Sequence, residues 1–191
     1  MRELVWLDFR LSIVVAVAVP LLLLGWAVLT KNKAIYNMLV TYWRVSSLLG
    51  ITIFLLIGGL PIAFLVGWVA RILIPLSLWW WRDLNEELQQ QRGLLRWVFL
   101  AWRWGITAYF TAGTVVGVSF LPCALLPANE LTDTCKVVLE VPLLFKQIVF
   151  YSIPIPNLRA FGIAMLVVFL IFFSSYLLFT FPERGRLHKS N

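Results

Sequence analysis

The sequence has one histidine, His188, two cysteines and only nine acidic residues among 191. One imidazole close to the last residue cannot supply paired axial ligands to transmembrane haems or a histidine relay in a bilayer. An electron carrier of the cytochrome b kind is excluded. Two cysteines without histidines complete no zinc site. No nucleotide-binding loop, acid–base pair or activated nucleophile with positioned partners stands out, so catalysis is not expected. No cofactor is expected either, although a bound lipid, or a pigment held through water or carbonyls, is compatible with the composition. Charge itself is scarce: 13% of residues, against about 25% in an average soluble domain.

What fills the chain instead is apolar: 61% hydrophobic and 15% aromatic residues, with a mean hydropathy of +0.89. Such a chain cannot cover its own surface with polar groups, so the excess faces lipid. The length suits a single transmembrane domain, 1–191. The net charge of +7 does not indicate nucleic acid. Lys and Arg stand in ones and twos at the ends of apolar runs, as membrane flanks do. The N-terminal stretch holds Arg2, Glu3, Asp8 and Arg10, and no small-residue cleavage site ends the run behind it. That run is expected to stay as a membrane helix.

Residues 11–30 carry no charge and span about 30 Å as a helix, with Pro20 kinking the middle. The kink is tolerable if a neighbour satisfies the freed carbonyl. A longer apolar run extends from Val45 to Trp81, too long for one span and short for two. The preferred reading is one helix over 46–70, then an interfacial segment anchored by Trp79, Trp80 and Trp81. The rival breaks the run at Gly58-Gly59-Leu60-Pro61, giving five spans instead of four. Gly59, Ala63 and Gly67 recur every four residues, which favours a continuous helix with one small-residue groove.

Residues 82–96 form a polar cap. The next span covers 97–121 and contains Gly113-x-x-x-Gly117, a close-packing pair expected to meet the Gly59/Ala63/Gly67 groove. Residues 122–157 read as an extracytoplasmic loop with an interfacial or re-entrant segment. Cys123 and Cys135 lie in it, on the side where thiols oxidise, and a disulfide between them is expected. Residues 158–181 form the last span and 182–191 a basic tail. The fold class is an all-α membrane protein, a four-helix transmembrane bundle with interfacial helices, five spans being the alternative.

In either case the positive-inside rule puts the 82–96 cap and the tail on the cytoplasmic or stromal side. The five-span version also leaves Arg71 in mid-membrane. Arg71 and Arg103 are the most embedded charges, and no acidic residue is expected within a span. Three readings of Arg71 and Arg103, with Arg82 and Arg96, beside Trp79–Trp81, Trp97, Trp102 and Trp104 stay open: interface anchors, an anionic-lipid site, or a substrate or ion pathway.

Residues 2–10 (RELVWLDFR) before a proline-kinked span, and residues 79–93 (WWWRDLNEELQQQRG), resemble an uncharacterised family of small cyanobacterial integral membrane proteins, a domain of unknown function. The resemblance implies a photosynthetic prokaryote and a thylakoid or plasma membrane. It transfers no functional residues. The function expected is a non-catalytic membrane scaffold, accessory subunit or assembly factor of a larger, photosynthetic membrane complex. Its partners would be the bilayer and other membrane proteins, met through the spans and residues 82–96. The alternative is a small transporter or channel subunit for an anionic solute.

Overall fold

The computed structural model describes residues 2–80, 82–90, 92–127 and 130–175; the side chains of Arg2, Leu4, Arg82, Asp83, Leu84 and Gln90 lie outside that description. The basic tail, His188 and the expected end of the last span beyond Ser175 also lie outside it. Among the described residues every regular element is helical. Five helices are long and apolar enough to cross a bilayer: Val5–Leu29, Lys33–Ile57, Ile62–Trp79, Leu94–Ala124 and Ile155–Ser175. This is a multi-pass, all-α membrane protein.

The first span is built from α1 (Arg2–Ser12) and α2 (Val19–Leu29), joined by a π-helical stretch, Ile13–Ala18. Pro20 causes the irregularity, because it has no N–H for the carbonyls four and five residues before it. Both carbonyls find donors on other spans. The Tyr42 hydroxyl donates to Ala16 O at 2.6 Å, and Trp102 Nε1 donates to Val15 O at 2.9 Å. The kink is therefore satisfied from outside the helix, as a backbone in hydrocarbon requires.

A turn with Lys31 at φ +53° leads to α3 (Lys33–Ile57), whose Asn32 cap accepts from the Ile35 N–H. The expected continuous helix over 46–70 does not form. α3 stops at Ile57, and α4 (Ile62–Trp79) returns beside it. Gly59 sits at φ +67°, its N–H bonds to Leu56 O, and the Leu60 N–H reaches Leu55 O. That is a Schellman stop, and Pro61, two residues past Gly59, cannot continue a helix. Four spans thus become five, and residues 72–79 belong to a span, not to an interfacial segment.

α5 (Arg82–Gln90) caps one end of the bundle, with Leu88 buried among Ile35, Leu78 and Leu95. The polar cap is shorter than 82–96, because α6 (Leu94–Gly117) already contains Arg96 and runs on through a 3-10 turn, Val118–Ala124. At the opposite end lie the 58–61 turn, the Cys123–Cys135 disulfide and α7 (Asp133–Val149). α7 is an unbroken helix whose apolar run is interrupted by Glu140 and Lys146, and it is not among the five candidate spans.

α8 (Ile155–Ser175) packs on α3 and buries little beyond Leu158 and Gly162. A Cβ on Gly162 would stand 3.1 Å from Phe54 Cβ and 3.3 Å from the Leu55 backbone nitrogen. Arg159 Nε donates to Gly58 O at 2.6 Å and closes the same joint. Gly162→Leu should therefore destabilise the protein by about 2 kcal/mol through overpacking. Gly50→Leu meets nothing within 4 Å and should be near neutral. Unfolding midpoints of the two variants in mild detergent check this; equal midpoints would show that α8 is not held at Gly162.

Candidate functional site

The first polar assembly lies at the middle of α4. Arg71 has about 13 Å of helix before it and about 12 Å after it, at 1.5 Å per residue. Its Nη2 meets Asp8 Oδ2 at 2.6 Å, and its Nη1 donates to Gly113 O at 3.1 Å. The Tyr109 hydroxyl lies 2.6 Å from Asp8 Oδ1, and the Ser12 hydroxyl is 2.6 Å from the Tyr109 oxygen. A phenol has one proton, and an ionised carboxylate is the strongest acceptor in its reach. Tyr109 therefore donates to Asp8, and Ser12 donates to Tyr109. Both Asp8 oxygens are engaged, and α1, α4 and α6 are tied together by a neutral network.

Asp8 corrects the expectation that no acid lies within a span. It belongs to Val5–Leu29 and to an unbroken helical start, so the first span begins earlier than residue 11.

A second assembly lies where α4, α5 and α6 converge. A cavity of about 290 Å³ is lined by Trp79, Asn85, Leu88, Gln89, Arg96, Leu100, Arg103 and Trp104. Arg103 is 3% exposed, so it does not snorkel out to water as an interface anchor would. Its guanidinium carbon sits 3.8 Å from the Trp79 ring centre. Trp79 Nε1 donates to Thr107 Oγ1 at 2.9 Å, and the Trp79 and Trp104 rings meet edge-on at 4.6 Å. Four buried atoms here make no hydrogen bond: Arg103 Nε and Nη2, Arg96 Nε, and Asn85 Oδ1.

The arginine–tryptophan belt is thus assembled in part. Trp79, Arg96, Arg103 and Trp104 come together around the cavity. Trp80 is exposed, and Trp102 turns away to bond Val15. Trp81 and the Arg82 side chain lie outside the described residues. The glycines do not meet as expected. Gly59 is in the turn, Ala63 is fully buried, and Gly67 faces Thr52 of α3. Gly113 and Gly117 instead admit Arg71 and Trp68 of α4. α4 and α6 do pack closely, but large side chains of one fill the glycine gaps of the other. Asp8, Ser12, Tyr109 and Asn85 were not singled out by sequence reasoning. The one signal for Asp8 was Arg71 itself, which the five-span alternative left in mid-membrane and in need of a counter-charge.

Among the described residues no group of three or more His, Cys, Asp or Glu side chains could hold a metal ion. A family model described as protein of unknown function (DUF3177) matches residues 2–189. No curated protein and no solved structure matches the chain.

Proposed function

This chain belongs to the DUF3177 family, and we propose that it serves as a non-catalytic membrane scaffold, an accessory subunit or assembly factor of a larger membrane complex. The observation that carries this reading is α8. Val167, Val168, Leu170, Ile171 and Phe172 on it are all at least half exposed, while Leu158, Gly162, Met165, Leu166 and Phe169 form the stripe that packs on its own bundle. Its outward face offers apolar helices of another membrane protein a surface that buries no charge. α5 adds exposed Glu86, Glu87 and Gln89 for a partner's extramembrane part.

The positive-inside rule supports placing Lys31, Lys33, Arg92 and Arg96 on the cytoplasmic or stromal side, which puts the disulfide on the oxidising side. The family resemblance of residues 2–10 and 79–93 favours a cyanobacterial thylakoid or plasma membrane and a photosynthetic complex. After gentle solubilisation of native membranes, the chain should migrate on native gels with other membrane proteins. Migration alone at its own mass would overturn the reading.

A second reading, a transporter or channel subunit for an anionic solute, draws on the cavity at Arg103 and on Asp8 within a span. It requires water to reach Arg71 as well, and that guanidinium is engaged by Asp8 and the Gly113 carbonyl. Purified protein in vesicles should pass neither phosphate nor chloride. A sustained flux abolished by Arg71→Met would replace the scaffold reading.

A further inference from the structure

The cavity between α4, α5 and α6 carries donors with nothing to bond. Arg103 is buried, and a buried charge is costly unless it is paired. One face of its guanidinium is covered by Trp79. The two nitrogens left unbonded, Nε and Nη2, lie on the same edge of the group, the edge that presents two parallel N–H donors. Two oxygens of one oxyanion fit such an edge side-on. Arg96, two helical turns earlier on the same face of α6, brings another unbonded Nε to the cavity. Among the described residues no acidic side chain lines it.

Asn85 supplies the complementary feature. Its Nδ2 donates to Trp79 O at 3.1 Å, an atom that can only accept, so the amide orientation is decided and Oδ1 is the free acceptor. Leu88, Leu100 and Trp104 make the remaining wall apolar. The cavity lies at the end of the spans, beside exposed Trp80, Trp97 and Trp104, the level at which aromatic rings meet lipid headgroups.

We propose that this cavity binds a phosphate-class oxyanion, held side-on by Arg103 and by Arg96, with a hydroxyl neighbour donating to Asn85. The volume of about 290 Å³ accommodates a phosphodiester with a glycerol-sized headgroup and leaves acyl chains outside, along the apolar wall. The same chemistry is available from an anionic lipid or from free phosphate. The site is independent of the scaffold reading, since it needs no protein partner.

The test uses the full chain in neutral detergent, titrated with phosphatidylglycerol, phosphatidylcholine or inorganic phosphate and followed by native mass spectrometry and tryptophan fluorescence. One phosphatidylglycerol should be retained in preference to phosphatidylcholine. Arg103→Gln should weaken it tenfold or more, and Arg103→Lys, which keeps the charge but loses the paired edge, should weaken it less. With phosphatidylmethanol, a phosphodiester with no headgroup hydroxyl, as a further titrant, Asn85→Ala should narrow the preference for phosphatidylglycerol over it. Displacement of the lipid by millimolar phosphate would identify the anion itself as the ligand; retention against phosphate would identify the lipid. Equal binding of phosphatidylglycerol and phosphatidylcholine with no binding of phosphate, or unchanged affinity in both Arg103 variants, would overturn the proposal.

Discussion

Arg71→Met should lower the stability of the protein by about 3 kcal/mol, because it strands the Asp8 carboxylate inside the bundle with only the Tyr109 hydroxyl for company. The pair keeps 26% and 34% side-chain exposure, so the expected cost stands at the low end of that for a fully buried ion pair. Asp8→Asn should cost less, since the amide oxygen still accepts from Arg71 or Tyr109. The double variant Asp8→Leu with Arg71→Met should regain much of the loss, because two apolar groups need no partners. Unfolding of the wild type, Asp8→Leu, Arg71→Met and the double variant in one detergent, treated as a double-mutant cycle, isolates the coupling. A coupling below about 0.5 kcal/mol would mean that the contact is not structural.

Removing the disulfide should cost a similar amount. Cys123 closes the 3-10 turn after α6, and Cys135 lies in the first turn of α7, with Cα atoms 5.9 Å apart and a sequence separation of 12. Closing a loop of that size removes chain entropy from the unfolded state worth about 3 kcal/mol. Both sulfurs are buried beside Ala63 and Leu131, so serine at either site also places a hydroxyl in an apolar cluster. Cys123→Ala with Cys135→Ala separates the two effects and should show the cross-link alone. Dithiothreitol should lower the unfolding midpoint of the wild type and leave that of the alanine variant unchanged. Alkylation of both cysteines in unreduced protein from native membranes would refute the bond.

Much of the architecture was legible because its causes are local. Twenty uncharged residues read as a span, Pro20 as a kink needing outside donors, and two cysteines in one connection between spans as a pair. The break between α3 and α4 was legible too, in Gly58-Gly59-Leu60-Pro61, but a competing local pattern pointed the other way. The four-residue spacing of Gly59, Ala63 and Gly67 describes a groove only if the helix is continuous. A glycine at positive φ followed by a proline outweighs it.

Asp8 was hidden for a different reason. With Arg2, Glu3 and Arg10 near it, the segment reads as a polar flank. What draws Asp8 into the helix bundle is Arg71, 63 positions away, and Tyr109, 101 positions away. The cavity was half visible. The arginines and tryptophans were expected to gather at one end, but which guanidinium edges stay unbonded depends on how three helices converge. Asn85 had no signal at all in a run of polar residues.

The proline-kinked first helix sets an order of events during synthesis. Its two freed carbonyls are completed by Tyr42, 26 positions after its acceptor, and by Trp102, 87 positions after its own. An unmet carbonyl in hydrocarbon costs several kcal/mol. The nascent first helix is thus an unfinished object when it leaves the insertion machinery, and the second span mends only half of it. Until the fourth span emerges, the Val15 carbonyl has to be sheltered from lipid by water or by the insertion machinery.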